Sequence, residues 1–362
     1  MPRFGLLSPP TLRNWPARWP VLLAMALALG LSGGCSVRKV AIGGLADALS
    51  AGGEGFATDD DPELIRAAVP FSLKTMESLL AEVPEHRGLL LSTCSGFTQY
   101  AYAFVQTDAE MAEADDFPRA QALRDRALRM YKRAIGYCLR NLEVRYPGIT
   151  AGLKKAPEAA LAVVKDPADV PVLYWTGAAW GSAVSLGLED MDLVADLPAT
   201  RALMDRALAL DEDYAQGAVH AALISMDSLP ESMGGSVARA RQHFDRAVTL
   251  SQGQSAGVYV TLATAVALPA QDRAEFDRLL NEALAIDADK YPSWRLANLI
   301  AQQKARYLLS RADTLILDAA PEPPAEPPLA RLGRSGLGIA PNVSAWALVP
   351  GAPRHGDSAW FD

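Results

Sequence analysis

The chain has 362 residues, half of them hydrophobic and 21% charged, with a formal net charge of −8. That is enough apolar material for a large core or an extended repeat array. The acidic balance offers no basic stripe to displace counterions from phosphates, which argues against nucleic acid as a partner; the dominance of Ala, Leu, Arg and Asp/Glu over alternating β-branched runs argues against a β-fold and for an all-α protein.

The N-terminus has the layout of an export signal. Arg3, Arg13 and Arg18 precede an apolar run from Val21 to Leu31, and no acidic residue occurs before Asp47. The run is too short to span a bilayer comfortably. Ser32, Gly33 and Gly34 then lead into Cys35, and small residues ending on a cysteine resemble a bacterial lipobox. On this reading residues 1–34 are a lipoprotein signal peptide and Cys35 is the lipidated mature N-terminus. The departure is Ser32, which stands where a large apolar residue is usual. Ser36 follows the cysteine, where an aspartate would signal inner-membrane retention. By the sorting rule of Gram-negative lipoproteins the chain therefore belongs on the periplasmic side of the outer membrane. Each buried methylene of the acyl chains contributes about 0.8 kcal/mol to the anchor. Residues 35–58, with Gly43-Gly44 and Gly52-Gly53-Glu54-Gly55, read as a flexible tether.

From residue 59 to 317 charged and uncharged segments alternate. Amphipathic helices are expected at 62–81, 118–145, 198–210, 236–250 and 272–287. Between them lie stretches without Asp, Glu, Lys or Arg: 88–107, 170–188, 251–270 and the shorter 214–226, which holds only His220. A helix apolar all round is buried on every side or faces something apolar. The charged helices share a pattern around Ala134, Ala207, Ala247 and Ala283, spaced by one or two steps of about 36 to 40 residues: a large apolar or aromatic residue, then the small alanine. This resembles a degenerate tetratricopeptide repeat without its usual proline, so the expected architecture is a helical superhelix.

The uncharged segments carry Tyr100, Tyr102 and Phe104 in the first, Tyr174, Trp175 and Trp180 in the second and Tyr259 in the third. Taken singly, each fits a packed core. Jointly, four neutral segments point to the wall of an apolar cavity or channel, with Tyr100, Tyr102, Phe104, Tyr174, Trp175 and Trp180 as candidate ligand-binding residues.

Catalytic signatures do not appear. His86, His220, His243 and His355 do not pair with one another or with cysteine at metal-ligand spacing, and there is no nucleophile elbow, phosphate loop or HExxH. No enzyme, metal or cofactor is expected. Met233-Gly234-Gly235-Ser236 could offer free amides to an anion, but a turn capped by Ser236 is the plainer reading. Cys94 and Cys138 can form a disulfide in an oxidising compartment or remain buried thiols; the reduced pair is the preferred expectation. The prolines from Pro321 to Pro328 rule out a continued helix, and residues 318–362 read as a disordered tail.

Several longer strings resemble the T component of TRAP transporters. They are Asp59-Asp60-Asp61-Pro62-Glu63-Leu64, Pro70-Phe71, Leu89 to Phe104, Asp169 to Gly181 and Met233-Gly234-Gly235. The resemblance runs from about Val40 to Leu317. It implies a periplasmic lipoprotein built of tetratricopeptide-like helices, trimeric around pores for hydrophobic solutes and associated with the substrate-binding P component. A competing reading is an outer-membrane scaffold that grips partner proteins and no small molecule. The neutral first helices favour the transport reading, because a peptide-binding groove would present charges and Asn.

Overall fold

A computed structural model describes Gly44, Ala46 and residues 54–317. The signal peptide, Cys35 and the tail from residue 318 lie outside the described residues, as does most of the tether. Within the tether, Ala46 is helical and fully buried against Met76, Leu80, Leu89 and Leu90. Among the described residues the regular structure is helical, with no strand. It divides into two compact units: residues 63–210 with the described residues up to Phe56, and residues 57–62 with 211–317.

The first unit is built on α1 (Pro62–Glu82), α2 (Arg87–Tyr100), a π-helical turn (Ala101–Gln106), α3 (Thr107–Ala112) and α4 (Phe117–Arg145). The short α5 (Ile149–Lys155) and α6 (Pro157–Leu161) follow, then α7 (Val170–Leu186), α8 (Met191–Val194) and α9 (Leu197–Leu210). Side chains set several of these starts: His86, Asp116 and Asp190 accept from the backbone N–H three residues on, satisfying a donor the helix leaves open. Helix α2, uncharged beyond its first residue Arg87, and the uncharged α7 pack on each other and both pack on the long α4, while α9 covers α7. Gly177 allows that last approach, since a Cβ there would stand 3.0 Å from Met204 Cε.

Cys94 on α2 and Cys138 on α4 are fully buried and joined as a disulfide, with Cα atoms 5.5 Å apart. This corrects the expectation of two reduced thiols. The 44-residue separation conceals that α2 and α4 are packed neighbours whose cysteines meet in one seam.

The second unit comprises α10 (Ala218–Asp227), α11 (Val237–Leu250), α12 (Ala256–Leu262) with a π-helical turn (Ala263–Ala267), α13 (Arg273–Ala285), α14 (Arg295–Ser310) and α15 (Ala312–Leu315). Its core joins residues from α10 to α15, Phe276, Leu279 and Leu280 among them. The charged helices fall where the periodicity placed them, within two residues at each end. The pattern named no helix at α14, and the structure shows why: its buried face holds Asn298 and Gln302 beside Ala305 and Leu308, which breaks the apolar period. Both amides are spent on backbone. Asn298 accepts from Ala256 N and donates to Gln254 O, and Gln302 donates to the carbonyls of Ala283 and Ile286 at the end of α13. The four repeat alanines, Ala134, Ala207, Ala247 and Ala283, are all buried.

Candidate functional site

The uncharged sequence 88–107 does not form one uniform helix. At Ala101–Gln106 it widens into a π-helical turn, with Thr107 N–H reaching back to Tyr102 O and the Thr107 hydroxyl donating to the same oxygen at 2.9 Å. The extra residue re-aims the side chains around it, and such turns concentrate at functional positions. The second unit repeats the device in its own uncharged segment, where Leu268 N–H bonds Ala263 O at 2.9 Å.

The six candidate aromatics, all within the first unit, separate into two sets of three. Tyr100, Phe104 and Trp180 are buried. Tyr100 and Phe104 lie with ring centroids 5.4 Å apart, and the Arg66 guanidinium covers Phe104 at 4.8 Å while pairing with Asp108. Trp180 hydrogen-bonds Asp196, whose carboxyl burial raises above its ordinary range. These three are integrated into the packing. Tyr102, on the π-helical turn, is 44% exposed, and Tyr174 and Trp175 are half-buried with rings edge-to-face at 4.9 Å.

A polar tie joins the elements that carry these aromatics. Tyr131 of α4 is fully buried; its hydroxyl donates to Gln106 Oε1 at 2.7 Å and is hydrogen-bonded with Ser182 of α7. Burial pushes its phenol well above the ordinary value, so it stays neutral. Gln106 Nε2 in turn donates to Glu110 at 3.0 Å. One side chain thus fixes the π-helical turn, α4 and α7. Tyr102, Tyr174 and Trp175 are suited to apolar contact with a polar tip at the edge, a chemistry of holding rather than bond-breaking.

Two polar clusters escaped sequence reasoning. In the first unit Asp169, fully buried before α7, takes Arg87 Nη2 (2.7 Å), Arg145 Nη1 (3.0 Å) and the Tyr146 hydroxyl (2.6 Å). In the second, His220 Nδ1 lies 2.8 Å from His243 Nδ1, a contact that no sequence spacing pointed to. Their 23-residue spacing matches no ligand motif, but it joins one face of α10 to one face of α11. The anion turn is a cap: Ser236 Oγ accepts from Arg239 N, and a Cβ at Gly235 would overlap the Leu229 carbonyl. Among the described residues no group of three or more His, Cys, Asp or Glu is placed to hold a metal ion, and no helix is long and apolar enough to cross a membrane.

Residues 58–316 match the family described as TRAP transporter T-component. A protein of Treponema pallidum (strain Nichols), described as uncharacterized, is 31% identical over 306 residues, covering 80% of this chain and 95% of that protein.

Proposed function

The chain belongs to the TRAP transporter T-component family, and on that premise we propose that it is an accessory subunit of a TRAP transport system that passes a hydrophobic solute. This is a family of transport accessories and not of enzymes. In this reading Cys35 carries the lipid, the domain faces the periplasm from the outer membrane, and the helices stack as tetratricopeptide-like repeats. A periplasmic substrate-binding P component docks on the domain, homotrimers form, and the uncharged helices supply an apolar cavity.

The observation that carries the reading is the family match over 58–316, which takes in nearly every described residue of both units. The neutral segments support the solute class: apolar surface left facing water costs about 25 cal/mol per Å², so it is packed or occupied. Tyr102, Tyr174 and Trp175, which retain exposure, are the residues offered to a ligand. The buried repeat alanines support close helix stacking.

Crosslinking in cells followed by mass spectrometry tests the partner. Recovery of a TRAP substrate-binding protein is expected. Recovery of outer-membrane assembly proteins in its place would contradict the reading and favour the scaffold. Cys35→Ala should move the protein out of the membrane fraction; its retention there would remove the anchor from the account.

A further inference from the structure

The second unit contains a line of titratable side chains that the transport reading does not use. Arg246 Nε lies 2.6 Å from Glu212 Oε1, which lies 3.2 Å from His220 Nε2. His220 Nδ1 is 2.8 Å from His243 Nδ1, and His243 Nε2 is 3.2 Å from Asp227 Oδ2. Asp227 Oδ1 closes the line on Arg239, at 3.1 Å from Nε and 2.9 Å from Nη2. His220 and Asp227 belong to α10, while Arg239, His243 and Arg246 belong to α11, which packs directly on it. Glu212 lies in the segment before α10, with Asp213 acting on Arg246 from the same segment. The third element against them, α12, brings no charged residue.

Counting protons gives this line its meaning. Two contacts are hydrogen bonds that need a shared proton, Glu212 to His220 and His220 to His243; the third, His243 Nε2 to Asp227 Oδ2, is an ion-pair contact that a proton on His243 would close. Two neutral imidazoles carry only two ring protons, so one of the three contacts is left without a hydrogen. One further proton fills all three, leaving a single imidazolium between two carboxylates. A second further proton puts hydrogen on both Nδ1 atoms. They then oppose each other across 2.8 Å as like charges, and the bond between the helices is lost.

We propose that this line is a proton-operated latch: the singly protonated histidine pair holds α10 on α11, and uptake of a second proton releases it. Burial lowers the affinity of His220 for a proton, which places the release step on the acid side of ordinary imidazole titration. Glu212, held at about 2 by its hydrogen bond from Arg246, remains ionised throughout that range. Apart from Asp227, α10 carries no other charged side chain to grip α11. The latch is independent of solute and partner.

The test is a histidine ¹⁵N NMR titration of the full chain, paired with amide hydrogen exchange. Between about pH 8 and about pH 5 the pair should take up its protons in two separated steps, the second below the ordinary imidazole value of about 6.5. Exchange at 218–227, corrected for its intrinsic rate, should accelerate by up to about tenfold per pH unit through the second step, while amides of 117–145 hold constant. In His243→Gln the amide supplies an acceptor to His220 and a donor to Asp227, so the acid-side acceleration should disappear. Independent titration of both rings without faster exchange at 218–227 would overturn the latch. So would persistence of the acceleration in His243→Gln. Should that variant fail to fold, the titration of the unaltered chain decides alone.

Discussion

Each unit buries an aspartate completely at a helix boundary, and the two are neutralised by different chemistry. Asp169, entering α7, is held by two arginines and a tyrosine hydroxyl. Asp227, ending α10, is held by one arginine and the outer edge of a histidine pair. Arginine keeps its charge at every pH a protein meets, whereas imidazole changes its own within the physiological range. The first unit is further closed by the Cys94–Cys138 disulfide between α2 and α4. The same structural problem, a buried carboxylate at a helix end, is thus solved permanently in the unit that carries the candidate aromatics and conditionally in the other.

The largest effect that would break this contrast is the loss of Asp169. Asp169→Ala leaves two guanidinium groups facing each other without their shared carboxylate, and breaking a buried pair costs about 3–5 kcal/mol. Denaturant unfolding should show that loss equally at about pH 8 and about pH 6; a loss confined to one pH would mean that a titrating group shares the site. Reduction of the disulfide comes next. Opening a loop of this length costs about 2–4 kcal/mol, and hydrogen exchange should place the loosening in α2 and α4 with the second unit unchanged.

The pH profile then sharpens the contrast. Because burial lowers the proton affinity of His220, the unfolded chain binds more protons just below the ordinary imidazole value. Stability of the second unit is therefore present above that value and lost as pH falls, by up to about 1.4 kcal/mol per pH unit. A second unit as flat across this range as the first would erase the difference. A smaller effect separates the two sets of aromatics within the first unit. Trp180→Phe removes a hydrogen-bond partner of the half-buried Asp196 and should cost about 1 kcal/mol. Tyr102→Ala, at an exposed position, should fall within about 0.5 kcal/mol of the parent in the same unfolding experiment.

Local signals carried much of this to the reader of the sequence. Amphipathic periods placed α1, α4, α9, α11 and α13, and the absence of charge marked α2, α7, α10 and α12. The Ser236 cap followed from its position after two glycines. What stayed hidden depends on contacts between distant residues. The disulfide needs α2 and α4 to be neighbours, and the His220–His243 contact needs α10 against α11. Helix α14 hides because Asn298 and Gln302 satisfy backbone groups from inside the core, where pattern reading expects apolar residues. The aromatics show the same limit: composition put six residues on equal footing, and only packing separates Trp180 and Phe104, enclosed, from Tyr102, Tyr174 and Trp175, which retain exposure.

Tryptophan emission tests the solute claim most directly. Adding a long-chain fatty acid to the full chain should change emission in a saturable way through Trp175, and Trp175→Phe should remove most of that change. Tyr102→Asp, a charge at an exposed position that the fold tolerates, should abolish the saturable change while the helical circular dichroism stays intact. An unchanged titration in Tyr102→Asp, or no saturable response in the parent chain, would contradict the assignment of these residues to an apolar solute.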